Sequence, residues 1–214
     1  MPTLSEHASK ALLADHGVPA ARDLTATDPD AAGSAADELG YPVAVKLCGD
    51  SITHKTERGL VRLGLGDRAA VERAAAELLA VAVPEDGPVS LLVAEMVQGN
   101  RELIVGTTMD DQFGPTVMLG IGGVLAEAVA DVVFRLLPIS EGDAIEMIDD
   151  LRGQELLGET RGEPAVDRRA LAETVLAVAR AALAIDGAVS IDVNPLVIRD
   201  GTPIAVDALV ITAS

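Results

Sequence analysis

Aromatic side chains are almost missing from this sequence: Tyr41, Phe113 and Phe134 are the whole set in 214 residues, and tryptophan is absent. Any core must therefore be built from Ala, Val, Leu and Ile. Positive charge is scarce too. Acidic residues outnumber basic ones 34 to 16, for a formal charge of -18. Such a chain lacks the basic footprint that a nucleic-acid surface needs, and the same excess argues against an anionic membrane surface. It favours solubility and is also typical of proteins adapted to high salt, although a high-alanine, lysine-poor composition bias looks the same. The one cysteine, Cys48, excludes an intrachain disulfide and fits a reducing cytosol. No signal peptide opens the chain and no apolar run reaches spanning length, so the expected location is the cytoplasm. Lysine occurs only at positions 10, 46 and 55. With so few, two in one short stretch invite a reason.

At this length the chain can hold one large domain or two small lobes around a sizeable core. Leu4–His16 has helical spacing, with Thr3-x-x-Glu6 as a capping box and Gly17 as its stop. Asp28-Pro29 opens a second helix that ends before Gly40. Strands are expected at Pro42–Leu47 and Val61–Leu65, with the polar loop Cys48–Arg58 between them. Asp67 caps a helix to Ala80, and Pro84–Pro88 is a turn. Val89–Val97 and Glu102–Thr107 read as strands, Met118–Glu127 as a glycine-rich loop, and Val132–Leu136 as a strand again. Ser140-x-x-Asp143 caps a helix to about Leu151, and Asp167–Ile185 is the longest helix. A closing hairpin follows, in which Pro195 interrupts the strand and Asp200-Gly201 turns it. Helices and strands alternate with hairpins mixed in, which gives an α+β or α/β class with mixed sheets. The lobe boundary is expected near Val97–Gly99.

Several positions carry candidate chemistry. Asp192 and Asn194 lie two apart on a strand and so point the same way. The hairpin returns Asp207 beside Asn194, which suits Mg²⁺ with its few hard oxygen ligands; a surface hairpin with polar turn residues is the competing reading. Lys46 sits late in an apolar strand, either as a point charge for phosphate oxygens or as a lysine snorkelling from the strand end. His54, on the polar loop with Lys55, is a phosphoryl-carrying nucleophile or a solvated loop histidine. His7 and His16 receive no role. The backbone at Glu95, Met96 and Val97 can read an adenine edge, and Glu102 can accept from ribose hydroxyls. Gly120-Ile121-Gly122-Gly123 offers close backbone approach to an anion or is a tight turn. It is neither a P-loop nor a Rossmann fingerprint. Glu127, Asp131 and Arg135 either line the same cleft or are exposed charges.

In this order the segments LSEHASKALLADHGVPA, GYPVAVKL, THKTERGLV, the central block VAEMVQGNRELIVGTTMDDQFGPTVMLGIGGVLAEAVADVVFRLLPI and IDVNPLVIRDGTPIAVDA resemble an ATP-grasp domain. More narrowly the chain resembles the nucleotide-binding β subunit of ADP-forming acetyl-CoA (acyl-CoA) synthetases, relatives of succinyl-CoA synthetase. The resemblance implies an ATP-grasp fold of two lobes with mixed or antiparallel sheets and a nucleotide cleft between them. Lobe one would run from about 18 to 97, and lobe two from about 98 to 214 together with the N-terminal helix 1–17. It implies Lys46 on nucleotide phosphates, Glu95 to Val97 as the adenine hinge, and Glu102 on the ribose. Gly122 and Gly123 would lie beside the nucleotide, Asn194 and Asp207 would hold Mg²⁺, and Asp192 would meet a phosphorylated histidine. His54 would carry phosphate between a partner histidine and ADP or ATP. The implied partner is a CoA-binding α subunit, in a heterotetramer, through which acyl-CoA and phosphate are handled. Two other functions compete: a stand-alone ATP-grasp carboxylate–amine ligase, and a nucleotide-binding regulatory subunit without turnover. The chain departs from the family pattern at Leu60, Ser190 and Leu209, positions that bear on loop closure and pocket charge.

Overall fold

The structure, a computed structural model, describes residues 3–49, 52, 58–110, 112–123, 130–160 and 162–213. The chain divides into two compact units, one of residues 5–8 and 21–96, the other of residues 1–4, 9–20 and 97–214.

The smaller unit is a four-stranded sheet under two helices. Its strands are β1 (Asp23–Ala26), β2 (Val43–Cys48), β3 (Val61–Leu65) and β4 (Ser90–Glu95), ordered β1-β4-β2-β3. All pairs are antiparallel. The helices are α2 (Pro29–Leu39) and α3 (Arg68–Ala80). Each starts on an aspartate, Asp28 and Asp67, whose carboxylate accepts from the N–H three residues on, at 2.9 and 2.8 Å. That bond satisfies a donor the helix itself leaves orphaned. Period-two alternation sends Val43, Val45 and Leu47 of β2 into the helix-covered core with Val93, Val71 and Leu78. The intervening Ala44, Lys46 and Cys48 point to the opposite face. A short 3-10 turn spans Pro84–Asp86.

The larger unit contains β5 (Glu102–Asp110), β6 (Gly114–Ile121), β7 (Val132–Leu136), β8 (Ala188–Arg199), β9 (Thr202–Ala205) and β10 (Ala208–Thr212). Their order is β10-β8-β5-β6-β7, with β9 also on β8. One face is covered by α4 (Glu141–Asp150) and α6 (Arg168–Ala184), with the short α5 (Gln154–Leu157) nearby. Leu103, Val105, Leu119, Ile191 and Val193 meet Met147, Val175 and Val178 in its core. Residues flanking these on the strands, Asp192 and Asn194 among them, therefore face away from the helices. The helix α1 (Glu6–Asp15) contributes its first residues to the smaller unit and the rest to the larger.

Three expectations need correction. Met118–Ile121 is the end of strand β6 and not part of a loop. Its glycine is explained by crowding, because a Cβ on Gly120 would lie 2.7 Å from Val132 Cγ1 on the neighbouring strand. Pro195 does not interrupt β8, which runs through it; β9 pairs beyond it and β10 before it. The capping box at Thr3 and Glu6 is also replaced: Ser5 Oγ accepts from the Ala8 N–H at 3.3 Å, and the Glu6 carboxylate turns to Lys46.

Candidate functional site

In the smaller unit Lys46 is not a strand-end side chain reaching water. It is 6% exposed, and its Nζ lies 2.6 Å from Glu6 Oε1. Glu6 is the first residue of α1, and sequence reasoning assigned it only to a cap. Separated by 40 residues, the pair leaves no local signature; a rare lysine in an apolar strand was the only hint. The neighbouring His7 places Nδ1 2.5 Å from Asp23 Oδ1. At the end of β4, the Glu95 N–H donates to Arg22 O at 3.0 Å and the Met96 N–H to Pro42 O at 3.3 Å. Glu95 Oε1 accepts from the Arg22 N–H at 3.2 Å. The N–H groups of Glu95 and Met96 are thus engaged within the smaller unit. Val97 opens the larger unit. His54 and Lys55 lie outside the described residues, but the end of their loop is held where Arg58 forms a fork on Asp86, at 2.7 and 3.0 Å.

In the larger unit the backbone brings Glu102, Gly122 and Gly123 together. The Gly122 N–H donates to Glu102 O at 2.7 Å. A Cβ on Gly122 would lie 3.1 Å from that carbonyl, and Gly123 has φ +88, a conformation that glycine adopts freely. These three residues share the rim of a cavity of about 340 Å³ whose apolar walls include Leu103, Ile121 and Ile198. Beside it Arg101 is buried, donating to Glu163 Oε2 at 3.2 Å and to the carbonyls of Gly158 and Pro164 at 2.9 and 2.6 Å.

The metal candidates also meet. The Asn194 N–H donates to Asp207 O at 3.2 Å, which sets the two residues side by side where β9 gives way to β10. Asp192 stands two residues away on the same face of β8. The surrounding protein partly desolvates its carboxyl, and the Asp207 charge adds to this, so its pKa is pushed up. An amide oxygen and two repelling carboxylates are a donor set that a hard divalent cation would relieve. No group of three or more His, Cys, Asp or Glu residues forms a metal cage among the described residues. Asp192 also lines a depression of about 190 Å³ with Gly106, Met118 and Phe134.

Lys10 lies next to this region, buried, with Nζ 3.4 Å from Val206 O. Both lysines of the chain that fall among the described residues are therefore buried. Of the three charges read as cleft lining or exposed, Glu127 lies outside the described residues. Asp131 is neither: it is 2% exposed and accepts from the N–H groups of Arg152 and Gly153 at 3.0 and 2.7 Å. Arg135 pairs with Asp150 at 2.5 Å at the surface. None of the helices among the described residues is long and apolar enough to cross a membrane.

Residues 2–212 match the ATP-grasp domain family. The chain is 34% identical over 211 residues to the β subunit of acetate–CoA ligase (ADP-forming) I of Pyrococcus furiosus, covering 97% of this chain and 91% of that subunit. It is also 34% identical over 199 residues to acetate–CoA ligase (ADP-forming) I of Archaeoglobus fulgidus, covering 92% of this chain but only 29% of that longer one. Among solved structures it superposes on the dinucleotide-forming acetyl-coenzyme A synthetase 1 of Ca. Korarchaeum cryptofilum, in complex with coenzyme A and Ca-AMPCP. The TM-score is 0.92 at 31% identity, with 99% of this chain and 94% of that one covered. A second structure of that protein, with coenzyme A and Mg-AMPPCP and its phosphohistidine segment pointing towards the nucleotide binding site, gives a TM-score of 0.84 at 32% identity, over 99% and 93% of the two chains. Family match, identity and superposition agree: the chain has the ATP-grasp fold and belongs to the ATP-grasp family, within the group formed by the β subunits of ADP-forming acetate–CoA ligases.

Proposed function

We propose that this chain is the nucleotide-binding β subunit of an ADP-forming acetate- or acyl-CoA ligase. The net reaction is acyl-CoA + ADP + phosphate ⇌ carboxylic acid + CoA + ATP. The observation that carries this reading is the alignment over 97% of the chain with a β subunit of that activity. The CoA and acyl chemistry belongs to an α subunit, and the alignment with only 29% of the Archaeoglobus chain supports a partner that can also be fused to this domain.

In this reading Lys46 meets the nucleotide phosphates and Glu102 the ribose, with Gly122 and Gly123 allowing close backbone approach. The hinge Glu95–Val97 borders the base. Asn194 and Asp207 hold Mg²⁺, which when bound supplies charge neutralisation on the phosphates. Asp192 faces the incoming phosphohistidine. His54 takes the phosphoryl group from a histidine of the partner and passes it to ADP. Phosphoryl transfer depends mostly on positioning and charge compensation, and these residue types supply both.

The test combines the chain with a CoA-binding α subunit, acetyl-CoA, phosphate, Mg²⁺ and ADP, and follows ATP formation. His54→Ala is expected to abolish ATP formation while ADP binding persists, and Asp207→Ala to remove Mg-ADP binding with the fold intact. ATP formation that survives His54→Ala would eliminate the relay. Unchanged Mg-ADP affinity in Asp207→Ala would eliminate the metal assignment, and absence of ATP formation in the parent would eliminate the function.

A further inference from the structure

The Glu6–Lys46 pair lies entirely within the smaller unit, and its burial needs explaining. The side chains are 1% and 7% exposed, with 2.6 Å between charges. Buried ion pairs are poor stabilisers, and apolar residues of similar volume often serve the fold as well or better. Every other residue of β2, VAVKLC, is apolar, so an apolar residue at position 46 would fit the strand's composition. A charge kept there at that cost has a use beyond packing. Glu6 is also the acidic residue in the first turn of α1, where the helix N-terminus favours a carboxylate. The carboxylate is held in place by the helix and shielded from water, and it meets Lys46 from outside the sheet.

We propose that Glu6 is a positioning residue that holds the Lys46 ammonium aimed for nucleotide phosphate. The inference rests on the assignment of Lys46 to phosphate binding. An ammonium carries three N–H donors, so a carboxylate and a phosphate oxygen can share the same lysine.

Isothermal titration of the full chain with Mg-ADP and with AMP tests this in the parent, Glu6→Gln, Glu6→Asp, Lys46→Met and the double variant Glu6→Gln/Lys46→Met. Glu6→Gln is expected to weaken Mg-ADP by about tenfold or more and AMP by much less, since AMP lacks the outer phosphate. Glu6→Asp, which keeps the charge on a shorter arm, should recover part of the loss. In the Lys46→Met background Glu6→Gln should add nothing, because its effect passes through the lysine. Equal weakening of ADP and AMP that adds to that of Lys46→Met would make Glu6 merely structural and overturn the proposal. Unchanged or tighter Mg-ADP binding in Glu6→Gln would overturn it as well. If Lys46→Met itself left Mg-ADP affinity intact, the phosphate assignment would fall first, a result distinct from failure at Glu6 alone. Should Glu6→Gln not fold, the Glu6→Asp comparison across ADP and AMP decides: a selective loss for ADP supports positioning, and an equal loss refutes it.

Discussion

Replacing Arg101 with methionine should cost the larger unit about 3–5 kcal/mol, the usual penalty for stripping one partner from a buried charged network. The guanidinium is 5% exposed and ties together the segment that leads from α5 to α6. It donates to Glu163 and to the carbonyls of Gly158 and Pro164, and Asn100 holds the second oxygen of Glu163 at 2.5 Å. Methionine would fill much of the volume but would leave these part-buried carbonyls without their donor, at up to roughly 1–3 kcal/mol each where water does not reach them. Glu163 keeps Asn100 and some solvent, which is why the sum stays below a simple total of the bonds. For a chain of this size each kcal/mol is about 2–4 °C, so calorimetry should show a transition lowered by about 6–20 °C. Arg101→Lys should fall between parent and Met, because a lysine cannot span the fork of acceptors. A Met variant within about 1 kcal/mol of the parent would refute the account: the network would then be neutral, and the wall of the cavity beside Glu102 would be held by apolar packing alone.

Three shorter predictions follow. Gly99→Ala should unfold or severely destabilise the larger unit, since the new Cβ would lie 2.2 Å from Ile198 O and 2.7 Å from Val197 Cγ1; a melting temperature like the parent's would contradict this packing. Asp86 is held well below the usual carboxylate range by the Arg58 fork and the Val83 N–H. Its ionisation therefore contributes stability above the ordinary carboxylate pKa that is lost as pH falls through the depressed value. Asp86→Asn should be less stable at neutral pH and show a flatter acid limb in urea melts between about pH 5 and 2; an unchanged limb would count against it. Chelating Mg²⁺ should weaken ADP binding by about tenfold or more, and equal affinity with and without chelator would remove the metal from the site.

Features governed by neighbours in sequence were legible, and features governed by neighbours in space were not. The caps at Asp28, Asp67 and Ser140 are local hydrogen bonds written in three or four residues, and each sits where it was expected. The strands Val61–Leu65 and Val132–Leu136 match residue for residue. Strand β1 was missed because Asp23–Ala26 is too short for alternation to register; β4 makes it a strand by pairing with it. The glycines at the end of β6 look like loop residues until Val132 is seen to need the space. At the site, residue types and spacing raised Lys46, Asn194 and Asp207 but left bland readings open, and the choice among them came from the family resemblance. Glu6 escaped entirely, because its partner is 40 residues away.

Each unit carries its own charged candidates, and their different surroundings bear on which form of nucleotide should bind. At Lys46 the positive charge is already balanced by Glu6 at 2.6 Å, so the ammonium adds direction more than net attraction for a polyanion. At Asp192 burial, and after it the charge of Asp207, push the carboxyl pKa up, so the ionised form is disfavoured there. Neither group offers free ADP an uncompensated positive charge, and the formal charge of -18 on the chain disfavours long-range attraction of a polyanion. A divalent cation changes the sign at the carboxylate end, where the repulsion between Asp192 and Asp207 becomes a favourable interaction with the metal. If the proposed assignments hold, Mg-ADP should bind more tightly than free ADP, with the discrimination arising from the acidic residues themselves; equal affinities in titrations with and without Mg²⁺ would refute this.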